Sequence, residues 1–388
     1  MRKALVVGGN SGIGLSISTE LLKTYDHIYI IGKDEPIISA IPDNLKDTFV
    51  KKTSFVKLNF VNKDFSVFDK IQDIDTLIIT VGFGRVALLE NITEAEAENL
   101  VNVNFGAIIR IIKKYYSKIK SNEPFYTVAM GSIAGHVVSR FFSIYGAAKA
   151  GLCQFIENVN TELSASGVSN RILDVSPGSL KGTGFNNGET DLSLLDDITT
   201  QIIECMYGRE TLFIPQYDSI YKDVIQRYTE NPEQFGEESY KYKLESGRIA
   251  DKPQVVVGYL SGTFDLFHIG HLNLLKRAKE HCDYLIVGIH KSGAWKGKET
   301  FIPFEERCKI VESVKYVDKV VESELEDSTA WDLFHYQKLF VGSDYKGTER
   351  FNRYEEILKG KAEIIYFPYT KGTSSTQLRD ALSSGKKI

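Results

Sequence analysis

Ala4-Leu5-Val6-Val7-Gly8-Gly9-Asn10-Ser11-Gly12-Ile13-Gly14 runs from an apolar, β-branched stretch straight into a glycine-rich turn. The apolar stretch reads as a buried strand, because a strand covered on both faces has no polar alternation. The turn supplies glycines where the backbone must come close to a ligand, and the residues after it open an amphipathic helix. Strand, glycine turn and helix start together make a site for phosphate. The first N–H groups of the helix have no internal partner, and the helix dipole favours an anion there. Gly8, Asn10, Ser11, Gly12, Ile13 and Gly14 are therefore candidate cofactor-binding residues.

The same pattern continues outward. Strand-like runs at 4–7, 27–31, 55–58, 76–80, 125–130 and 171–175 alternate with helical stretches. That alternation predicts a parallel sheet with helices on both faces, the doubly wound α/β arrangement of a Rossmann domain. A second start follows at Val255-Val256-Val257-Gly258-Tyr259-Leu260-Ser261-Gly262, with further strand-like runs at 284–289, 318–321, 338–341 and 363–366. This predicts a smaller Rossmann-like α/β domain. Between the two, residues 216–252 are polar and Tyr-rich with Asn231-Pro232 as a breaker, which reads as a helix and an interdomain arm. The expected organisation is 1–215, 216–252 and 253–388.

Composition narrows the functional classes. The chain has 388 residues, 43% hydrophobic and 25% charged, enough apolar material for two cores. A net charge of −4 lacks the basic excess of a nucleic-acid binder. No apolar run is long enough to span a membrane, and the N-terminus enters a strand without a signal-peptide core, so a cytoplasmic protein is expected. Cys153, Cys205, Cys282 and Cys308 form no CxxC pair and accompany no histidine cluster, so neither a metal site nor a disulfide framework is expected.

Tyr145 and Lys149 lie four residues apart and share a face if helical. A neighbouring ammonium favours phenolate, which predicts a lowered tyrosine pKa. Tyr145 could then pass a proton to a carbonyl oxygen as hydride reaches the carbon, and Ser132 could hydrogen-bond the same oxygen. The order of Gly8–Gly14, Asn104, Ser132, Tyr145, Lys149 and Pro177-Gly178 resembles the short-chain dehydrogenase/reductase family over roughly residues 1–215. The resemblance implies that Asn104 supports a proton relay behind Lys149 and that Pro177-Gly178 flanks a nicotinamide. It makes Thr183 a candidate for the carboxamide contact, one residue late because of Gly182. The family's Asn-Asn-Ala-Gly element reads Ile79-Thr80-Val81-Gly82, and Asn59 stands where an aspartate is usual near the adenine. Gly82 remains a cofactor-site candidate. After the second strand, Lys33 stands where a cation can meet a 2′-phosphate, although Asp34 follows it. NADPH is the expected cofactor and NADH the alternative.

Gly262-Thr263-Phe264-Asp265-Leu266-Phe267-His268-Ile269-Gly270-His271 carries the second chemistry. His268 and His271 fall on one face at a helix start, where imidazole donors and the dipole converge on phosphate. They could also ligate zinc, but no third ligand lies nearby. The decapeptide resembles the HxGH signature of nucleotidyltransferases. Lys296, Arg307, Tyr316-Val317-Asp318, Gly342-Ser343-Asp344-Tyr345 and Thr370-Lys371-Gly372-Thr373-Ser374-Ser375-Thr376 follow the cytidylyltransferase order, nearest the glycerol-3-phosphate enzymes over about 254–383. The resemblance implies that His268, His271 and Lys296 act at the α-phosphorus and that Ser374, Ser375 and Thr376 hold phosphate. It implies that Gly262, Thr263, Phe264, Arg307, Asp344 and Thr370 help bind CTP, with Mg²⁺ on the triphosphate. Tyr369 replaces an arginine of the glycerol-3-phosphate enzymes, which puts a glycerol-phosphate acceptor in doubt.

Joined in one chain, the two resemblances imply consecutive steps. A ketose phosphate, ribulose or xylulose 5-phosphate, is reduced to a polyol phosphate, which CTP converts to CDP-ribitol or CDP-arabinitol for a capsule or teichoic-type polymer. Hexulose phosphate or dihydroxyacetone phosphate is the alternative substrate, giving CDP-mannitol, CDP-glucitol or CDP-glycerol. One domain acting only as a nucleotide sensor is the non-enzymatic alternative. Both resembled families commonly form dimers or tetramers, so a homo-oligomer is expected.

Overall fold

The computed structural model describes residues 1–61, 64–186, 188–245, 255–293, 299–323, 326–368 and 377–379. The chain divides into two compact units, 1–253 and 254–388.

The first unit is built on seven strands: β1 (Lys3–Val7), β2 (His27–Gly32), β3 (Thr53–Lys57), β4 (Thr76–Ile79), β5 (Tyr126–Met130), β6 (Ile172–Val175) and β7 (Leu212–Phe213). Every pairing is parallel and the order is β3-β2-β1-β4-β5-β6-β7. Ala4, Leu5, Val6 and Val7 are fully buried, as a central strand covered on both faces requires. One core holds Leu5, Val7, Leu77 and Ile79 against Ile108, Ile111 and Leu152, and the other holds Ala4, Val6 and Ile78 against Leu15, Ile17 and Ile202. The strand order reverses between β1 and β4, and in such sheets ligands bind beyond the strand ends at that reversal. Gly8 and Gly82 lie just past those two ends.

The edge strand β7 is only two residues long, too short to announce itself by alternation. The stretch read as an arm forms two helices, Lys222–Glu230 and Pro232–Glu245, within the first unit. They break where expected: Asn231 accepts the Gln234 N–H at 3.1 Å, and Pro232 takes the first helical position.

The second unit has β8 (Val257–Gly262), β9 (Tyr284–Ile289), β10 (Lys319–Glu322), β11 (Lys338–Gly342) and β12 (Glu363–Phe367) in the all-parallel order β10-β9-β8-β11-β12. Its order also reverses, between β8 and β11, so the segments after Gly262 and Gly342 lie at the reversal where such sheets bind ligands. Leu260, Leu285, Val287 and Phe340 fill its core.

Candidate active sites

In the first unit the glycine turn is sterically closed. A Cβ on Gly14 would lie 2.2 Å from the Gly8 carbonyl oxygen, and one on Gly8, whose φ is +87°, would lie 2.7 Å from Thr80 Oγ1. Ser11 sits at the N-cap of the helix Gly12–Leu21 without a side-chain capping bond. Among the first amides Gly12 N–H goes to Thr190 Oγ1 at 3.2 Å, a partner spacing could not reveal. Ile13 follows on the first helical turn. A Cβ on Gly12 would meet Thr183 Cβ at 3.3 Å, so Thr183 stands over the turn. Asn10 packs against Gly32, and exposed Lys33 follows it. These residues fit a dinucleotide: the backbone can approach the pyrophosphate closely, and Lys33 stands at the end of β2.

Tyr145 and Lys149 lie on the helix Ser143–Ala165, and Ser132 starts the turn after β5. All three are buried. Lys149 Nζ donates to the Met130 carbonyl at 2.7 Å and lies 5.8 Å from the Tyr145 ring centroid. Burial lowers the ammonium to about 8. The phenol does not follow the expectation of a lowered pKa. Burial pushes Tyr145 up to about 12, and its hydrogen bond with Ser132 offsets only part of that rise. The reason is geometric, since the ammonium is directed at Met130 rather than the phenol oxygen. A phenol at about 12 is protonated at neutral pH, the state a proton donor needs.

Asn104 sits fully buried in a π-turn, Asn102–Gly106, joining the helices Glu94–Val101 and Ala107–Ile119. Such a turn inside a helix redirects its side chains. Asn104 Nδ2 donates to the Phe83 and Leu100 carbonyls at 2.8 and 2.9 Å, and Oδ1 accepts Phe83 N–H at 3.2 Å. A Cβ on Gly82 would lie 2.8 Å from Asn104 Oδ1 and 3.5 Å from Lys149 Nζ, so Gly82 separates the two. The Pro177 carbonyl accepts Ile133 N–H at 3.0 Å, which ties the Pro177-Gly178 turn to Ser132.

Behind Ser132, His136, Cys153 and Asp174 bring potential ligand atoms within 4.8 Å of one another, a grouping their spacing hides. Ser176 Oγ stands among them, donating to Asp174 at 2.8 Å and bonded to His136 Nε2 at 3.0 Å. Hydrogen bonds already use this cluster.

In the second unit His268 caps the helix Ile269–Glu280, its Nδ1 accepting Gly270 N–H at 3.0 Å, and His271 Nδ1 accepts His268 N–H at 3.4 Å. The rings stack at 4.0 Å, with Phe264 and Phe267 at 5.2 and 5.5 Å from His271. Burial lowers His268 and drives His271 down to about 3, so His271 is a neutral imidazole. Phe264 and Leu266 hold φ of +50° and +48°, costly values for such side chains. Asp265 fixes this loop by accepting Phe301 and Ile302 N–H groups and pairing with Arg379 at 2.6 Å. Asp344 lies exposed beyond β11, close to Gly342.

Arg307 departs from the expectation of nucleotide contact. It is fully buried, and its guanidinium donates to the carbonyls of Thr263, His290, Lys291 and Ile302. Those bonds direct it to the loops beside Gly262 rather than to a ligand. Lys296, Tyr369, Thr370, Ser374, Ser375 and Thr376 lie outside the described residues.

Fold and sites together define a two-domain enzyme, a reductase followed by a nucleotidyltransferase. The short-chain dehydrogenase profile matches residues 2–191 and the cytidylyltransferase-like profile matches 259–381. The glycerol-3-phosphate cytidylyltransferase of Bacillus subtilis is 36% identical over 126 residues, 31% of this chain and 93% of that protein. Its Staphylococcus aureus counterpart is 35% identical over 127 residues, 31% and 90% respectively. Carbonyl reductase family member 4 of Xenopus tropicalis is 26% identical over 199 residues, 51% of this chain and 81% of that protein. The chain thus belongs to the short-chain dehydrogenase family in its first domain and to the cytidylyltransferase-like family in its second. No helix among the described residues is long and apolar enough to cross a membrane.

Proposed function

We propose that the chain reduces a ketose phosphate with NADPH and then transfers a cytidylyl group from CTP to the polyol phosphate so formed. The observation that carries this is the pairing, in one chain, of buried Ser132, Tyr145 and Lys149 with His271 stacked on His268 at a helix start. A nicotinamide cofactor held at the Gly8–Gly14 turn would supply hydride. Ser132 orients the substrate carbonyl, Tyr145 gives its phenolic proton to the oxygen, and Lys149 carries the compensating positive charge. In the second domain a phosphate oxygen of the polyol phosphate attacks the α-phosphorus of CTP, and the bond to the β-phosphate breaks to release pyrophosphate. His268 and His271 offer hydrogen bonds where charge grows. Asp265 is taken by two N–H groups and Arg379, so a Mg²⁺ arriving with CTP would be held by triphosphate oxygens.

Ribulose or xylulose 5-phosphate is the proposed substrate, giving CDP-ribitol or CDP-arabinitol for a surface polymer, in the cytoplasm. The names of the Bacillus and Staphylococcus relatives favour a second reading, dihydroxyacetone phosphate giving CDP-glycerol. Incubating the full chain with each ketose phosphate, NADPH and CTP, and weighing the products, separates these. A CDP-polyol that forms only when ketose phosphate, NADPH and CTP are all present supports the proposal. NADPH oxidation by none of the ketose phosphates overturns it.

A further inference from the structure

Asp174 is a buried carboxylate in the middle of the apolar strand β6. Side chains alternate along a strand, so Asp174 lies on the same sheet face as Ile172 and Ser176. Ile172 belongs to the core that holds Leu152 and Ile156, so this face is the one covered by the helix Ser143–Ala165. A carboxylate there is costly unless it is bonded and balanced by charge. Ser176 Oγ supplies the bond, at 2.8 Å.

The carboxylate reaches the reductase site at one peptide. A Cβ on Gly131 would lie 2.2 Å from Asp174 Oδ1 and 2.4 Å from Ser176 Oγ, so only glycine fits between Met130 and Ser132. The carbonyl of the Met130–Gly131 peptide is the one that accepts the Lys149 ammonium at 2.7 Å. Ser132 then starts the turn Ile133–Gly135, which ends in His136, and His136 Nε2 is bonded to Ser176 Oγ at 3.0 Å. Asp174 and Ser176 thus back the start of the Ser132 turn and tie down its end.

The groups around Lys149 can be told apart by charge. On its own helix, Tyr145 and Cys153 are both pushed up to about 12 by burial, so both are neutral at working pH. Asn104, from the π-turn, carries no charge. His136 on the turn after β5 and Asp174 on β6 complete the set, and Glu157 and Arg171 join them in lining a cavity of about 580 Å³. Burial lowers Lys149, with Cys153 and Asp174 opposing that fall. With the thiol protonated, the opposition comes from the carboxylate.

We propose that Asp174 is a positioning residue of the reductase, whose negative charge behind Gly131 keeps Lys149 an ammonium while its bond to Ser176 anchors the Ser132 turn. This rests on the reading of the first domain as a carbonyl reductase. Asp174 touches neither substrate nor cofactor. It acts through Lys149, whose positive charge is needed as the Tyr145 phenolate forms.

The test follows kcat from pH 6 to 10 in full-length wild type, Asp174→Asn, Asp174→Ser and His136→Gln. Each is assayed with NADPH on the best ketose phosphate and on butane-2,3-dione, and NADPH binding by fluorescence shows which variants are folded. Asp174→Asn keeps an acceptor for Ser176 and removes only the charge, and Asp174→Ser removes it in a smaller side chain. Without the carboxylate Lys149 loses its proton more readily, so the fall in kcat should move to lower pH by about half a unit or more. His136→Gln should leave that limb where it is. A limb unmoved in the folded Asp174 variants, or moved only in His136→Gln, overturns the role of Asp174 while carbonyl reduction stands. A wild type that reduces only butane-2,3-dione removes the ketose phosphate reading and leaves the limb to decide Asp174. A wild type that reduces neither carbonyl overturns the reductase reading and Asp174 with it.

Discussion

Lys149 Nζ lies 5.8 Å from the ring centroid of Tyr145 while it donates a hydrogen bond to the Met130 carbonyl at 2.7 Å. The two catalytic side chains share a helix face, yet the cation is not bonded to the phenol. Its value to Tyr145 is therefore greatest after the proton has left, when phenolate forms in a buried site and needs a nearby positive charge.

This arrangement fixes the pH dependence of reduction. Lys149 is held at about 8 rather than 10.5, so it is charged below that pH and neutral above it. Tyr145, near 12, stays protonated across the working range. Reduction should therefore fall as pH rises through about 8, with one ionisation, and Lys149→Met should abolish that limb on a much lower plateau. Profiles of kcat from pH 6 to 10 decide it, and a limb that survives in Lys149→Met assigns it elsewhere.

Tyr145→Phe removes the proton donor and leaves the packing against Phe142 and Phe185 in place. Reduction should drop by about 10²–10⁴-fold, the usual worth of positioned acid catalysis. Cytidylyl transfer to added polyol phosphate should continue. A near wild-type reduction rate would remove Tyr145 from the chemistry.

Lys33 follows Gly32 at the end of β2, exposed and one residue before Asp34. If it meets the 2′-phosphate, Lys33→Asp replaces attraction with repulsion and weakens NADPH far more than NADH. Dissociation constants for both cofactors measure this. Equal weakening would show that another residue sets the preference.

What the sequence disclosed follows from how local each feature is. Gly8–Gly14 and the Tyr145–Lys149 pair lie within one turn or one helix face, so spacing alone shows their geometry. Asn104 was legible as a residue, but the π-turn that aims it was not, since no periodicity marks one inserted residue. Arg307 shows the limit most clearly. The resemblance implies a nucleotide contact, whereas the direction of the side chain depends on four carbonyls brought together by folding. Tyr221 over Gly178 and Lys243 on Ser139 are contacts across distant sequence, invisible before the chain is folded.

The buried Arg307 yields a stability prediction. Arg307→Met strips donors from the carbonyls of Thr263, His290, Lys291 and Ile302 while keeping much of the side-chain volume. Leaving buried acceptors unpaired should destabilise the second domain by on the order of 3 kcal/mol. Calorimetry should show its transition moving down while ketose reduction persists. An unchanged melt with only a raised KM for CTP would mean that Arg307 faces the nucleotide after all.

His271 tests the second chemistry. Burial among Phe264, Phe267 and the His268 ring holds it at about 3, so in the free protein it should stay uncharged across neutral pH. Imidazole nitrogen shifts of the full chain should thus show no titration of His271 between pH 5 and 8. A neutral donor helps where charge develops at the phosphorus, so its loss slows the chemical step more than it weakens ground-state binding. His271→Ala should cost about 10²-fold or more in CDP-polyol formation, the scale of losing one preorganised donor. With ketose phosphate, NADPH and CTP together, the variant should accumulate free polyol phosphate, which product masses report directly. Undiminished CDP-polyol would remove His271 from the mechanism, and loss of both activities would show that the two domains do not work independently.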